Sequence, residues 1–352
     1  MVPPMTAHSG GGKPSNDNTP GVAGANEGRP LAVIVAGPTA SGKSALAMAL
    51  AARVGGTVIN ADSMQIYREL RVLTARPSVA DEAAVPHALY GVRAAAEPGS
   101  VAWWRGAALA EMAACRAAGL VPILCGGTGM YFQSLIQGLA DIPAPSEAAR
   151  AEARGLLAEI GPVALHARLA GVDPATAARL ETADGQRLAR AWEVWRSTGR
   201  GLAAWQADGN AGPAPWRFRA VLIDPPREVL REAIAARFDA MLEEGALEEA
   251  RALWALGLDA ALPAMRAHGV PELGRYLRGE CSLDVARARA CVVTAQYTKR
   301  QVTWFRHHAL AGEGEVKNLL ARWNAGAQVS ESDIADMQNF MFARVDVVPG
   351  AP

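Results

Sequence analysis

The chain contains few cysteines, and their positions argue against the usual cysteine-based sites. Its 352 residues include four cysteines, none of them in a C-x-x-C pair: Cys115, Cys125, Cys281 and Cys291. This spacing predicts neither a zinc site nor a disulfide framework. We therefore expect inert thiols in a protein of the reducing cytoplasm.

The sequence also lacks a long apolar run and a net charge. No stretch of about twenty apolar residues is present, so we expect no membrane span. Residues 1–29 contain Gly, Pro, Ser, Asn and Asp without an apolar segment, which predicts a disordered extension and not a signal peptide. The 35 basic residues balance the 35 acidic ones, which argues against a uniformly basic nucleic-acid-binding protein but leaves room for a local basic face.

One stretch near the N-terminus matches the phosphate-binding pattern G-x-x-x-x-G-K-[ST]. The apolar run at 31–36 before it predicts a buried strand, and the Ala- and Leu-rich run at 45–52 after it predicts a helix. Strand, glycine loop and helix together form the context that a P-loop needs. We predict that this loop binds a diphosphate or triphosphate through Gly37, Pro38, Thr39, Ala40, Ser41, Gly42, Lys43 and Ser44.

The residue types of this loop suit a bound phosphate. Gly37 and Gly42 let the backbone curve so that successive N–H groups point at phosphate oxygens. The start of the following helix adds partial positive charge, and Lys43 adds a full one. The Ser44 hydroxyl is the expected ligand for Mg²⁺.

Two further candidate residues, Asp62 and Thr128, follow the ends of predicted strands. Asp62 follows a predicted strand at 57–61, and a second glycine loop containing Thr128 follows a predicted strand at 121–125. Ligands of open α/β sheets bind beyond the carboxyl ends of the strands, so both residues are expected on the side of the P-loop. An aspartate after a strand is also a common N-cap, and the residues alone leave Asp62 as either a catalytic group or a cap.

Composition changes near residues 142 and 214, and the segment between them has a helical pattern rich in Ala, Leu, Arg and Glu. Arg187 and Arg190 lie on one face of a predicted helix there, which indicates either a binding face or a solvated one. The predicted organisation is a disordered extension at 1–29, an α/β core at 30–141 and 215–310, an all-helical insertion at 142–214, and a C-terminal tail at 311–352.

The C-terminal half contains a strand that ends in an acid and a strongly basic segment. The strand at 218–224 superficially resembles a Walker B segment, but Pro225 follows Asp224 directly, which makes Asp224 a weak candidate for a metal ligand. Residues 287–308 hold five Lys or Arg, three aromatic residues and no acid. That composition is typical of phosphate contact with base stacking, although an amphipathic helix with its aromatic side chains in the core explains it too.

Taken together, the ordered motifs resemble those of the bacterial tRNA dimethylallyltransferase family over roughly residues 31–308. The similarity rests on the P-loop followed by Asp62-Ser63-Met64-Gln65-Ile66-Tyr67, Gly126-Gly127-Thr128-Gly129-Met130-Tyr131, Gln186-Arg187, Gln296-Tyr297, Lys299-Arg300-Gln301 and Thr303-Trp304-Phe305-Arg306. The fold expected is a P-loop NTPase-like parallel sheet flanked by helices, with an all-helical insertion. The resemblance implies transfer of a dimethylallyl group from dimethylallyl diphosphate to the exocyclic amine of the adenosine 3′-adjacent to the anticodon.

The resemblance also implies roles for individual residues. Thr39 and Lys43 would contact the diphosphate leaving group, with Mg²⁺ on Ser44. Asp62 would be the general base that takes a proton from the attacking amine. The adenosine would leave its stack to enter a pocket lined by Ser63, Met64 and Gln65.

Further positions match contacts with tRNA, and the expected partners are the anticodon stem-loop and the prenyl donor, with no membrane. A monomer in the cytoplasm suits an enzyme that clamps one stem-loop. The residues implied to contact tRNA are Asp62, Ser63, Met64, Gln65, Thr128, Arg150, Gln186, Arg187, Leu188, Ala189 and Arg190, and more loosely Arg266 and Gly269.

Three positions depart from the family pattern. Arg76 stands where a lysine is usual, Ala88 replaces a histidine after His87, and Ala295 removes an expected cation. None of them lies in the P-loop or at Asp62. The principal alternative function is a P-loop small-molecule kinase. Prenylation of free adenine nucleotides is disfavoured by the insertion and the basic helix, and a pure nucleic-acid-binding module is disfavoured by the zero net charge and the complete P-loop.

Overall fold

The computed structural model describes residues 28–323 and 331–342, so residues 1–27 of the extension predicted for 1–29 lie outside the described residues. The strands are β1 (Leu31–Ala36), β2 (Gly56–Asn60), β3 (His87–Ala88), β4 (Val121–Gly126), β5 (Leu139–Ala140), β6 (Asn210–Ala211), β7 (Arg217–Ile223) and β8 (Val316–Leu319). The helices are α1 (Lys43–Val54), α2 (Val79–Ala84), α3 (Val101–Ala117), α4 (Gly129–Ile136), α5 (Glu147–Val172), α6 (Pro174–Ala177), α7 (Gly185–Thr198), α8 (Leu202–Ala207), α9 (Arg227–Glu243), α10 (Ala246–Ala255), α11 (Val270–Leu277), α12 (Leu283–His307) and α13 (Glu331–Phe342).

Six strands form a parallel sheet in the order β3-β2-β4-β1-β7-β8. The residues of β1, β2 and β4 are almost all buried, as expected for strands that are covered by helices on both faces. This architecture confirms the predicted fold class. Because all neighbours are parallel, the loops after β1, β2 and β4 meet at one edge of the sheet.

Apolar clusters cover both faces of the sheet. On one face, α3 and α4 contribute Trp104 and Phe132. On the other face, Leu46 and Leu50 of α1 pack with the strands. A third cluster joins the segment after β2 to helices α9–α12, and it forms the wall opposite the P-loop.

The segment between β5 and β6 consists of helices α5–α8 with a small core of their own, centred on Leu165, Leu169, Leu188 and Trp192. Its two ends are joined by an antiparallel ribbon in which Leu139 pairs with Ala211. Helix α5 bends at Gly161, where the backbone is non-helical immediately before Pro162.

The C-terminal boundary differs from the sequence prediction. The core was expected to end at residue 310, whereas β8 pairs with β7 and α13 packs on α1 through Met337 and Met341. No local pattern predicts this strand, because β8 has only four residues at a sheet edge and no regular apolar alternation. The segment predicted to be a tail therefore contributes to the sheet and to its apolar cover.

Candidate active site

The P-loop adopts a conformation that requires glycine at Gly42. The φ angle of Gly42 is +91°, and a Cβ atom there would lie 1.9 Å from the carbonyl oxygen of Trp323. A Cβ at Gly37 would lie 2.8 Å from the carbonyl oxygen of Ile223. The two glycines therefore allow the loop to curve closely past two distant segments of backbone.

Distant parts of the chain hold the P-loop from two sides. On one side, the Gln301 side chain of α12 accepts a hydrogen bond from the Thr39 N–H at 2.9 Å. On the other side, Arg322 Nε donates to the Ala40 carbonyl at 2.9 Å, and the Trp323 N–H donates to the Ser41 carbonyl at 3.0 Å. The loop is thus fixed by the tertiary structure as well as by its own sequence.

Lys43 lies inside the loop and is 8% exposed. Its Nζ donates to the Pro38 carbonyl at 3.5 Å. Burial lowers the pKa of Lys43, and the negative charge of nearby Asp62 partly opposes that shift. Beside it, the buried Ser41 hydroxyl has no hydrogen-bond partner among the described residues. A buried cation and an unpaired hydroxyl in one loop are suited to binding an anion.

The Asn60 side chain fixes the backbone of Asp62. Asn60 Oδ1 accepts from the Asp62 N–H at 2.8 Å, and Asn60 Nδ2 donates to the carbonyls of Asp62 and Leu89, each at 3.0 Å. One carboxylate oxygen of Asp62 accepts from the Met64 N–H at 2.9 Å. Turns follow Asp62 and the next helix begins at residue 79, so Asp62 does not cap a helix.

The second glycine loop is bonded to the segment that contains Asp62. The hydroxyl oxygen of Thr128 accepts from the Ser63 N–H at 3.0 Å and lies 3.3 Å from the Ser63 hydroxyl. Gln65 Nε2 donates to the carbonyls of Thr74 and Ala75 at 2.8 and 3.0 Å. The amide nitrogen of Gln65 is therefore committed to the protein backbone.

A cavity lies between the P-loop and the helical wall. Its lining is polar where Thr39, Lys43, Ser44, Asp62 and Gln65 meet, and apolar where other segments contribute Met64, Leu73, Ile234, Phe238 and Met241. Among the residues expected from the sequence, those at 39, 43, 44, 62, 64 and 65 thus share one cavity. The arrangement can hold a ligand that is anionic at one end and hydrocarbon at the other.

Arg237, His268 and Thr294 also line this cavity. Sequence reasoning did not single out Arg237 or Thr294, and His268 lies between Arg266 and Gly269, in a segment that matched a tRNA contact only loosely. Arg237 Nη2 donates to the Thr74 carbonyl at 3.3 Å, and burial lowers the pKa of its guanidinium. The His268 ring lies 4.9 Å from the ring of Tyr297, and burial lowers the pKa of His268. An arginine inside a helix rich in Ala, Arg and Glu carries no local signal of a site, so Arg237 could not have been found from the sequence.

The arginines expected to contact RNA lie on the surface of the insertion. Arg150 pairs with Glu147 at 3.6 Å, Arg187 with Asp184 at 3.3 Å, and Arg190 with Glu193 at 3.4 Å. The side chains of the three arginines are 40–74% exposed, and Gln186 is exposed beside them. Such surface pairs are weak, so an RNA phosphate can replace the carboxylate.

Three other residues expected to contact RNA are instead part of the packing or capping of helices. Leu188 is fully buried and Ala189 is 8% exposed in the core of the insertion, so neither side chain is available to RNA. The Gly269 N–H donates to the Glu272 carboxylate at 3.0 Å, which caps α11. Arg266, by contrast, is exposed.

Asp224 does not belong to the cavity. It follows β7, as the sequence predicts, but its carboxylate accepts from Arg306 at 3.4 Å and it is not among the cavity-lining residues. This arrangement removes the structural support for a Walker B aspartate at that position.

Within the described ranges, no group of three or more His, Cys, Asp and Glu side chains is arranged to hold a metal ion. None of the helices described is both long and apolar enough to cross a bilayer. Burial raises the pKa of the Cys125 thiol to about 11, which keeps this cysteine protonated and unreactive at neutral pH.

Comparisons with known proteins agree on one family. A sequence model described as "IPP transferase" matches residues 65–308, and one described as "Isopentenyl transferase" matches residues 31–86. A relative from Gluconobacter oxydans (strain 621H), named tRNA dimethylallyltransferase, is 59% identical over 320 residues, covering 91% of this chain and 96% of the relative.

Solved structures agree as well. The full-length tRNA isopentenylpyrophosphate transferase from Bacillus halodurans is 30% identical, with a TM-score of 0.61 over 89% of this chain and 95% of that one. A eukaryotic dimethylallyltransferase described as acting on tRNA has a TM-score of 0.72 at 22% identity, over 89% of this chain and 79% of that one, and supports the fold.

Proposed function

The chain belongs to the tRNA dimethylallyltransferase family, and we propose that it transfers the dimethylallyl group of dimethylallyl diphosphate to the exocyclic amine of the adenosine 3′-adjacent to the anticodon, releasing diphosphate. The observation that carries this proposal is the single cavity that joins the P-loop, Asp62 and an apolar wall. A prenyl diphosphate has the same division into an anionic and a hydrocarbon part.

The diphosphate of the donor binds at the P-loop end of the cavity. Lys43 and Arg237 supply positive charge there, and the loop backbone supplies N–H groups. A second cavity shares Lys43, Ser44 and Arg237 with the first, and its lining adds Arg71, Arg76 and Arg322. These cations stabilise the charge that develops on diphosphate as the carbon–oxygen bond breaks.

The dimethylallyl chain packs against the apolar wall of the same cavity. Leu73, Ile234, Phe238 and Met241 come from two separate segments of the chain and form a hydrocarbon surface. A five-carbon group gains transfer free energy there, at roughly 25 cal/mol per Å² of apolar surface removed from water. This surface and the placement of Asp224 outside the cavity favour a prenyl donor over the ATP of a kinase.

Asp62 acts as the general base. An adenine amine is a weak nucleophile, and its attack on the prenyl carbon requires loss of a proton. Asn60 and Met64 hold Asp62 at the cavity, where one bond to the Met64 N–H orients its carboxylate. The carboxylate is therefore positioned before substrate arrives.

Mg²⁺ fits this site as a partner of the diphosphate. Mg²⁺ prefers oxygen ligands, keeps several waters and is usually held by one or two protein groups together with substrate phosphates. The exposed Ser44 hydroxyl at the edge of both cavities is suited to that role. When bound, the ion would lower the negative charge on the leaving diphosphate.

The tRNA anticodon stem-loop binds between the cavity and the insertion. Arg150, Gln186, Arg187 and Arg190 are placed on the insertion to meet its backbone, and Lys299 and Arg300 of α12 are exposed near Tyr297. Base flipping carries the adenosine into the cavity, past Ser63 and Thr128. A cytoplasmic monomer suffices for this, since one chain supplies the cavity and the clamp.

The test is transfer of radiolabelled dimethylallyl groups to an unmodified anticodon stem-loop RNA in the presence of Mg²⁺. Label is expected on the adenosine 3′ to the anticodon, and a stem-loop with guanosine at that position is expected to stay unlabelled. Phosphoryl transfer from ATP to a metabolite, with no prenyl transfer to RNA, would instead establish the kinase alternative.

A further inference from the structure

Gln301 joins the two glycine loops of the active site. It lies on α12 and is 4% exposed. Its Oε1 accepts from the Thr39 N–H at 2.9 Å and from the Thr39 hydroxyl at 3.3 Å, while its Nε2 donates to the Gly127 carbonyl at 2.9 Å. Both polar ends of one buried amide are therefore used on separate loops.

The fit around this amide is close. A Cβ atom at Gly127 would lie 2.2 Å from Gln301 Nε2, so the glycine leaves the space that the amide occupies. Because Gln301 is buried and bonded at both ends, its side chain is not a contact for RNA. Its neighbours Lys299 and Arg300, by contrast, are exposed on the same helix.

We propose that Gln301 is a positioning residue that holds Thr39, and with it the first half of the P-loop, in the geometry that binds diphosphate. This inference rests on the proposed function, because it assigns the P-loop to the prenyl diphosphate. It also links the donor loop to α12, the helix whose exposed cations are placed to meet RNA.

The lengths of the three hydrogen bonds made by Gln301 fit such a role. The bond from the Thr39 hydroxyl is the longest, and a diphosphate oxygen is a stronger, charged acceptor for that hydroxyl. The bond from the Thr39 N–H keeps the residue in place when the hydroxyl turns toward the ligand. The loop thus needs no rearrangement of its backbone on binding.

An amide is the group that this position requires. Glutamate would keep an acceptor for Thr39 but would bring a carboxylate against the Gly127 carbonyl and add negative charge beside the diphosphate. Leucine would have a similar volume but would leave the Thr39 N–H and the Gly127 carbonyl without this partner. Both substitutions should impair diphosphate binding, and Gln301→Glu should do so more strongly.

The experiment measures binding of inorganic diphosphate with Mg²⁺ by calorimetry in the absence of RNA, together with steady-state kinetics. For Gln301→Leu we expect diphosphate affinity to fall, and the KM for dimethylallyl diphosphate to rise, at least tenfold. The KM for the stem-loop should stay within about twofold. The matched control is Gln137→Leu, the same substitution at an exposed position just after α4. It should leave the diphosphate affinity and both KM values unchanged.

A double-mutant cycle with Thr39→Val separates positioning from a general loss of stability. If Gln301 acts through Thr39, the double variant should lose clearly less affinity than the sum of the two single losses, since residues in contact are not additive. Unchanged diphosphate affinity in Gln301→Leu, even with a lower Tm, would overturn the proposal. Impaired diphosphate binding in a protein that never prenylates RNA would leave the positioning role intact and refute the proposed reaction instead.

Discussion

In the proposed reaction the P-loop binds the prenyl donor and the helical insertion binds the RNA, and the two regions are built in opposite ways. The P-loop is held by hydrogen bonds from Gln301, Arg322 and Trp323, and its lysine is buried. The three insertion arginines expected to contact RNA, Arg150, Arg187 and Arg190, are exposed and paired with carboxylates on the same helix or next to it. The P-loop is therefore fixed in the absence of a ligand, whereas the proposed RNA contacts of the insertion have only weak ion pairs to exchange for phosphates.

This difference agrees with what each region is proposed to recognise. A leaving diphosphate needs charge at fixed points, because stabilisation of a transition state depends on preorganised groups. A stem-loop backbone needs many weak contacts over a long surface, each of which tolerates small shifts. We therefore expect large, localised effects of substitutions in the first region and small, distributed effects in the second.

The largest effect is expected for Asp62→Asn. Asparagine keeps an acceptor for the Met64 N–H but cannot take the proton, so kcat should fall by about 10²- to 10⁴-fold. Affinity for the stem-loop, measured by filter binding, should change by less than about twofold. The matched control is Asp224→Asn after β7, which should lose little activity because Asp224 lies outside the cavity. Equal losses in the two variants would contradict the role of Asp62.

Lys43→Met is expected to weaken diphosphate binding strongly and, at the same time, to stabilise the free protein. Diphosphate affinity should fall by about a hundredfold, while the Tm of the free protein should rise by a few degrees, because a buried charge is replaced by a side chain of similar shape. Calorimetry and thermal unfolding measure the two changes. A lower Tm together with unchanged diphosphate affinity would show that Lys43 is structural.

The difference in Tm between Lys43→Met and the wild type should depend on pH, which provides a second test of the buried charge. Burial lowers the pKa of Lys43 from its ordinary value of 10.5. Below the lowered pKa both folded and unfolded chains carry the proton, and the folded state bears the full cost of the buried charge. Between the lowered pKa and 10.5 the unfolded chain binds more protons, so wild-type stability gains relative to the variant as pH rises. The Tm advantage of Lys43→Met should therefore shrink as the pH rises from the lowered pKa towards 10.5.

The smallest effect is expected for the pair Arg187→Ala and Arg190→Ala. The KM for the stem-loop should rise only about three- to tenfold, and the slope of log affinity against log salt should decrease by about one per lost phosphate contact. Stability should change by less than about 1 kcal/mol, because the two arginine side chains are exposed where they pair with Asp184 and Glu193.

Arg196→Ala on the same helix is the control for that pair. Arg196 is similarly exposed and pairs with Glu152 at 2.8 Å, but it is not among the expected RNA contacts. An unchanged salt slope is therefore expected for Arg196→Ala. An equal change in slope for this control would show that the insertion acts through its total charge and not through the predicted face.

Prediction from the sequence succeeded where the signal was local. The P-loop, the strands that precede Asp62 and Thr128, and the helical character of the insertion each follow from a short pattern of residues. It failed where a local pattern was weak or ambiguous. Leu188 and Ala189 lie inside a motif implied to contact RNA, yet the helix turns them into the core of the insertion. The short strand β8 went unpredicted for the same reason.

The sequence by itself determined the glycine loop at residues 37–44, the carboxylate that follows β2 and the edge of the sheet at which they meet. Spacing and residue type act within a few residues of one another, and they suffice for these features. Only the tertiary structure decided that Arg237 lines the cavity, that Gln301 joins the two glycine loops and that Arg322 and Trp323 support the P-loop. Those contacts join residues that are far apart in the chain, and packing brings them together without leaving a pattern in the sequence around them.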